Sequence, residues 1–205
     1  MNTTIRSKEK YNRIARFYDV HSKFAEKIWF TKWRNQFILP LKGKVLEVGI
    51  GTGKNIGYYD KEAEVVGIDF SKKMLQIAKE KLVKSGKKNI LLKQMDAENL
   101  KFKDNSFDYV VTTCVFCSVP NPIKGLEEIK RVLKPTGKLV MIEHVLSRNP
   151  VIALIEQAGN PVTKFFMGAN INRNTKQEII NSGMEIIKDE NLALVDVFRL
   201  FIAKK

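Results

Sequence analysis

Val45-Leu46-Glu47-Val48-Gly49-Ile50-Gly51-Thr52-Gly53 is the stretch on which the reading of this chain turns. Its first four residues form a short, mostly apolar run suited to a buried strand, and a glycine then recurs at every second position. Glycines after a strand permit a tight turn and let a ligand lie against bare backbone. Spacing sharpens the point. A dinucleotide fingerprint is Gly-x-Gly-x-x-Gly, in which the third glycine lets helix and strand close around a pyrophosphate. Counted from Gly49, that third place holds Lys54, which is bulky and charged, and the pattern present is Glu-x-Gly-x-Gly-x-Gly. Glu47, just before the turn, would repel a pyrophosphate and suits a cationic ligand network.

Downstream of the turn, residues 55–61 read as the opening of a helix, and the apolar run 65–68 is closed by Asp69. Ser71 is a natural N-cap for a helix whose apolar face is Met74, Leu75, Ala78 and Leu82. Residues 89–95 and 107–114 read as third and fourth strands. Asn121-Pro122 looks like an N-cap with proline at the first helical position, and that helix stops at Lys134-Pro135-Thr136-Gly137. Residues 138–143 form a fifth strand, 151–168 an insertion of partly helical character, and 175–182 a helix. Residues 184–188 and 193–203 close the chain as a hairpin. Strand and helix thus alternate five times, which predicts parallel strands joined by right-handed crossovers with helices on both faces.

Upstream, residues 7–39 carry helical periodicity through Tyr11, Ile14, Ala15, Tyr18, Trp29, Trp33 and Phe37. With no internal repeat and no low-complexity linker, the expectation is one α/β domain over 1–205. A helical lid (1–40) would cover a Rossmann-like, doubly wound core (41–205). The core would hold a mostly parallel seven-stranded sheet with an antiparallel C-terminal hairpin.

Composition bounds the rest. A chain of 205 residues suffices for one domain, and 44% hydrophobic with 28% charged residues is ordinary for a soluble globular protein. No apolar run approaches the roughly 20 residues that span a bilayer, and the first residues show no secretory signal. Cys114 and Cys117 are the only cysteines, so no disulfide framework exists and a reducing cytoplasm is the default. The formal charge of +14 has three readings: an anionic membrane surface, nucleic acid, or a lysine-rich solvated surface. The lysines are scattered rather than blocked, which favours the solvated surface, with membrane ahead of nucleic acid.

Two further acidic positions fall in step with the glycine turn. A carboxylate at Asp69, ending the second strand, can accept from both ribose hydroxyls of a nucleoside, NAD included. At Asp96-Ala97, ending the third, a carboxylate can accept from an adenine amino group while the next N–H donates to the ring. Each aspartate alone is commonly a cap or a turn residue; together with Glu47 they place acids at three consecutive strand ends.

On these residues the chain resembles the class I S-adenosylmethionine (SAM)-dependent methyltransferases. Segments 45–53, 65–74, 94–100, 107–119 and 131–145 are similar to that family's successive motifs, and the matches span residues 11–183. The resemblance implies SAM as cofactor, with Gly49, Gly51 and Gly53 beneath its methionine part and Asp69 on the ribose. It implies Phe70 and Met74 on the adenine face, Asp96 and Ala97 on its edge, and Cys114 to Phe116 near the sulfonium. Tyr11 and Tyr18, in Tyr-Asn-Arg-Ile-Ala-Arg-Phe-Tyr-Asp, resemble the lid motif of the ubiquinone/menaquinone-biosynthesis branch. Cys117-Ser118-Val119-Pro120, Ile142-Glu143-His144-Val145 and Gly168-Ala169-Asn170-Ile171-Asn172-Arg173 are similar to membrane-associated thiol methyltransferases and their prokaryotic relatives. Bacterial phosphatidylethanolamine N-methyltransferases share much of this layout. Thr136-Gly137 departs from the family's usual Gly-Gly.

The implied reaction is methyl transfer to a small, largely apolar or lipid-like acceptor: a thiol, a phospholipid amine or a quinone-type ring. The alternative is a nucleic-acid (RNA) methyltransferase, encouraged by the charge. Against it, Thr112-Thr113-Cys114-Val115-Phe116-Cys117 lacks the Asn/Asp-Pro-Pro-aromatic grip of base-methylating enzymes. A nicotinamide oxidoreductase fails at Lys54, and a silent SAM-binding partner protein is a further reading. Because the sulfonium supplies its own leaving group, the protein's task is positioning and water exclusion. A base is needed only for a protonated acceptor; candidates are Tyr18, Glu143 and His144, the imidazole titrating ordinarily at about 6.5. The other reading of His144 is a bond to backbone. Cys114 and Cys117 with both histidines would make four zinc ligands, but paired motifs are missing, so buried thiols and no metal site are expected. The Trp29, Phe30, Trp33 and Phe37 stripe reads as a lid over the cofactor or as an interfacial helix, and Phe165-Phe166-Met167 as a wall of the acceptor pocket.

Overall fold

The computed structural model describes residues 9–13, 15, 19, 26–166 and 168–205; Tyr18, His21 and Met167 lie outside the described residues. Strand β1 (Gly43–Val48) lies inside the sheet, paired in parallel with β2 (Ala63–Asp69) on one side and β4 (Phe107–Thr113) on the other. β3 (Ile90–Gln94) lies outside β2, and β5 (Leu133–His144) outside β4, both parallel. The last two strands, β6 (Glu185–Ala193) and β7 (Phe198–Lys204), run antiparallel to each other, and β7 pairs antiparallel with β5. The sheet order is therefore β3-β2-β1-β4-β5-β7-β6. Strand order reverses between β1 and β4, which opens a crevice beyond their carboxyl ends.

The period of two along each strand sends neighbouring side chains to opposite faces. Leu46, Val110 and Phe201 enter one core with Phe116, Leu126, Ile129 and Leu139. Val45, Val111 and Leu200 enter the other with Trp33, Ile38, Tyr59 and Ala78. Helix α1 (Thr31–Phe37) follows a π-helical turn at Glu26–Phe30 and packs into the second core. Trp33 is 3% exposed, 4.8 Å from the Phe30 ring and 5.6 Å from Phe198. The aromatic stripe therefore neither covers the crevice nor faces lipid; it pins the N-terminal segment to the sheet.

Helix α2 (Lys72–Ser85) is capped by Ser71, whose hydroxyl accepts from the Met74 N–H at 3.2 Å, and Gly86 ends it at φ 67. Helix α3 (Pro122–Val132) is capped in the same way by Asn121. One expected helix, over residues 55–61, is absent. After β1 the chain makes only a 3₁₀ turn, Ile56–Tyr58. Gly57 weakens a helix there, and Tyr59 is drawn into the core, where its hydroxyl donates to Glu47. Between β3 and β4 the loop is pinned by Arg131, which donates to the carbonyls of Leu100 and Phe102 and to Asp104.

β5 starts at Leu133 rather than 138: residues 134–137 form an irregularity opposite the Phe107/Tyr109 step, where Pro135 is tolerated. The final hairpin turns at Leu194 and Val195, which the alternating apolar pattern had placed inside a strand. The insertion is a continuous helix, α4 (Pro150–Phe166), with Pro161 inside it, followed by α5 (Thr175–Asn181). Among the described residues no helix is long and apolar enough to cross a membrane.

Candidate active site

Beyond the carboxyl ends of β1 to β4 lies a partly open cavity. Gly49 and Gly51 form its floor, both at positive φ (70° and 56°). A Cβ at Gly49 would stand 2.5 Å from Val115, whereas one at Gly51 would meet nothing closer than the Gly49 carbonyl at 3.9 Å. The first glycine thus allows close packing with the β4 loop, and the second leaves open space above the turn. Gly53 serves a third purpose: a Cβ there would meet Ile56 at 2.5 Å and Ala78 at 3.1 Å, so its bareness lets the turn sit on α2.

Asp69 lines the cavity from the end of β2 and is 6% exposed. One carboxylate oxygen accepts from the Gly51 N–H at 3.0 Å and the other from the Ser71 N–H at 2.7 Å, which ties the second strand to the glycine turn. Burial outweighs these bonds and pushes its pKa up to about 6. Phe70 and Met74 follow on the same wall; Asp96 and Ala97 face them from the end of β3, where Asp96 accepts from the Glu98 N–H. Tyr11 bridges two walls, its ring edge-on to Phe70 at 5.7 Å and its hydroxyl paired with Ser118. Beside it, Asn12 accepts from the Ser71 hydroxyl at 2.7 Å.

Cys114 lines the cavity after β4 at φ 54. Glu143 holds that loop in place. It is fully buried behind the cavity and accepts from the N–H groups of Val115 (3.0 Å) and Phe116 (3.2 Å) and from the Thr112 hydroxyl (3.0 Å). Burial pushes its pKa up to about 7. Glu47 plays the matching part under the glycine turn. It points away from the cavity, accepts from Asn55 and Tyr59 at 2.8 Å each, and is pushed by burial to about 7. Arg34, paired with Glu26, joins this network through Asn55.

The structure therefore brings together Tyr11, Gly49, Gly51, Asp69, Phe70, Met74, Asp96, Ala97 and Cys114 around one cavity. It places Glu47, Gly53 and Glu143 behind its walls. His144 is also off the lining: its Nε2 lies 3.6 Å from Glu156, its ring 5.4 Å from Phe198, and burial lowers its pKa. Phe165 and Phe166, expected at an acceptor pocket, stand exposed on α4. Burial pushes the Cys117 thiol up to about 12 and raises Cys114 well above its ordinary value, so both stay protonated. Ser118, Val119 and Pro120 complete the wall; they follow Cys117 in a family-like motif, but their type carries no chemistry that marks them as lining.

Among the described residues the lining contains two carboxylates and no Lys, Arg or His. Lys54, which stands where a dinucleotide turn needs glycine, pairs instead with Glu26 at 2.9 Å. A pyrophosphate would find no cation among these described residues, whereas a phosphate-free cationic nucleoside would meet acids at its polar edges and bare backbone at its floor. That is the cofactor chemistry of a class I SAM-dependent methyltransferase. Residues 46–141 match the family described as a methyltransferase domain, and that match supports the same class for the chain. Within that class, the chain's relatives support the ubiquinone/menaquinone-methyltransferase-like branch. It is 39% identical over 117 residues to a phosphatidylethanolamine N-methyltransferase of Cereibacter sphaeroides, covering 57% of this chain and 58% of that protein. It is 35% identical over 156 residues to a demethylmenaquinone methyltransferase of Lactobacillus johnsonii, covering 70% and 63%. The chain thus spans less than two thirds of these relatives' lengths. A Thermotoga maritima SAM-dependent methyltransferase, described as a possible histamine N-methyltransferase, shares the fold. Its TM-score is 0.73 at 19% identity, covering 96% of this chain and 99% of that one.

Proposed function

We propose that the chain transfers a methyl group from SAM to a small, largely apolar or lipid-like acceptor, such as a thiol, a phospholipid amine or a quinone-type ring. One observation carries the reading: a cavity at the switch point of the sheet, edged by Asp69 and Asp96 and with no cation among its described lining residues. The relatives' acceptors, phosphatidylethanolamine and demethylmenaquinone by name, support an apolar substrate. When bound, SAM supplies a methyl on a sulfonium leaving group.

This chain's residues then position and shield. Asp69 accepts from the ribose hydroxyls, Phe70 and Met74 pack on the adenine, and Asp96 with the Ala97 N–H takes its edge. The methionine part lies on Gly49 and Gly51, with Cys114 near the sulfonium. Tyr11 and Tyr18, from a lid within residues 1–40 of a single domain, close the site against water. Glu47 and Gly53 support the turn, and Glu143 and His144 act as positioning residues behind the wall. The protein works in the cytoplasm, in peripheral contact with an anionic membrane.

A transfer assay with SAM carrying a radiolabelled methyl, offered to total lipid extract, alkyl thiols and RNA, tests this. Label is expected in the lipid or thiol fraction. Label confined to RNA overturns the acceptor class, and calorimetry showing no heat with SAM overturns the cofactor site.

A further inference from the structure

Helix α4 is built inside out. Val151, Leu154, Ile155, Val162 and Phe165 are between 58% and 72% exposed, and their spacing puts them on one stripe of the helix. Two polar residues face inward instead: Glu156 is 6% exposed and accepts from the Ser147 N–H at 2.8 Å, and Asn160, half-buried, accepts from the Ile171 N–H at 2.9 Å. A helix on a protein surface in water has the opposite arrangement. A stripe of this kind matches an apolar medium outside.

The turn at Leu194-Val195 points the same way. Both residues hold positive φ (51° and 64°), a conformation a hairpin normally gives to Asn or Gly, and both are exposed apolar side chains. Asp196, next in sequence, accepts from the Arg148 N–H at 2.8 Å and pairs with the Ser147 hydroxyl, which fastens the hairpin tip beside the start of α4.

Charge selects the medium. Arg148 precedes the helix, and exposed Lys164 lies in its last turn, where Lys10 also reaches the Lys164 carbonyl and stands 5.9 Å over the Phe165 ring. The one acid of the helix is turned inward. On a chain of net charge +14, a second copy is repelled and an anionic bilayer attracted. The end of the helix is tied to the cavity's rim through its neighbours: Lys10, bonded to the Lys164 carbonyl, precedes the lining residue Tyr11, and Asn170, four residues past the helix, donates to the Cys117 carbonyl at 2.7 Å next to the lining residue Ser118.

We propose that α4 lies in the headgroup–acyl boundary of an anionic bilayer, with Leu194 and Val195 inserting beside its first turn. Resting on the reading above of a lipid-like acceptor, this seats the cavity's lip where such an acceptor partitions.

Flotation with phosphatidylglycerol/phosphatidylcholine vesicles, against pure phosphatidylcholine, tests it. The native chain is expected to float with the anionic vesicles, and L154D/I155D to bind them roughly tenfold more weakly or worse. SAM binding by calorimetry should be unchanged in that variant. Phe165→Trp gives a second readout, taken as the difference from the native chain, whose Trp29 and Trp33 also emit: the added emission should shift to the blue on anionic vesicles and be quenched by brominated acyl chains. No flotation of the native chain, flotation unaffected by L154D/I155D, or an introduced indole that brominated lipid leaves unquenched overturns the docking. So does a dimer, by light scattering, that the double substitution dissolves while vesicles go unbound. Flotation without SAM binding would leave the docking standing and remove the proposed function instead.

Discussion

Asp69 spends half of its hydrogen-bonding capacity on the protein. An ionised carboxylate offers about four acceptor sites; Gly51 and Ser71 occupy one on each oxygen, which leaves two toward the cavity. Asp69→Ala should therefore weaken SAM binding roughly 10- to 100-fold, since a charged hydrogen bond contributes about 1.5–3 kcal/mol; calorimetry reads this directly. The ionised form is the acceptor and its pKa is about 6, so in the native chain affinity should stay level above that pH and fall as pH drops through it. Glu143 gives the opposite slope, in stability. Its folded pKa of about 7 lies above the ordinary 4.5, so between those limits the folded chain keeps a proton that the unfolded chain has released. Its contribution is complete below about 4.5 and lost as pH rises through 7. Urea denaturation at both limits should show the native chain losing on the order of 2 kcal/mol that Glu143→Gln does not lose.

At the scale of elements, the glycine turn separates packing from conformation. Gly53→Ala forces a side chain into a left-handed backbone (φ 78°) and against Ile56 and Ala78, for an expected loss of about 2 kcal/mol in thermal or urea unfolding. Gly57→Ala, four residues on, has ordinary φ and nothing within 4 Å, so it should leave stability unchanged or slightly raised. A loss at Gly57 equal to that at Gly53 would show that the turn tolerates no side chain for some reason other than contact with α2. β1, β2 and the capped helices α2 and α3 were legible because local pattern and caps agree with burial. The missing helix after β1 was not, since it depends on Tyr59 reaching Glu47, a tertiary bond that propensity cannot register. Periodicity likewise shows that α1 and α4 each have an apolar face without saying what covers it. α1 buries its face on Phe198, and α4 turns its face outward.

Across the whole molecule, the legible part of the site is the part that strand register delivers. Parallel pairing from β3 to β4 brings the residues after each strand to one edge, so Gly49, Asp69, Asp96 and Cys114 meet although up to 65 residues of sequence separate them. The wall at Ser118 to Pro120 escaped, because its position is set from elsewhere: by Glu143 behind the preceding loop, and by Asn170 and Arg173, which donate to the carbonyls of Cys117 and Val119. Glu47 and His144 were legible as chemistry but not as direction, since only the packed sheet decides which way a side chain at a strand end points. The cavity's composition yields a test on the intact chain. A ligand present at about 100 times its Kd stabilises the folded state by about 2.7 kcal/mol, and at this chain length each kcal/mol moves Tm by about 2–4 °C. Saturating SAM, or its demethylated product, should therefore raise Tm by roughly 8 °C. NAD shares the adenosine but brings a pyrophosphate to a lining whose described residues include no cation, and it should produce no shift. Equal shifts from both would mean that the glycine turn accepts phosphate despite Lys54, and the electrostatic argument for the cofactor would fail with it.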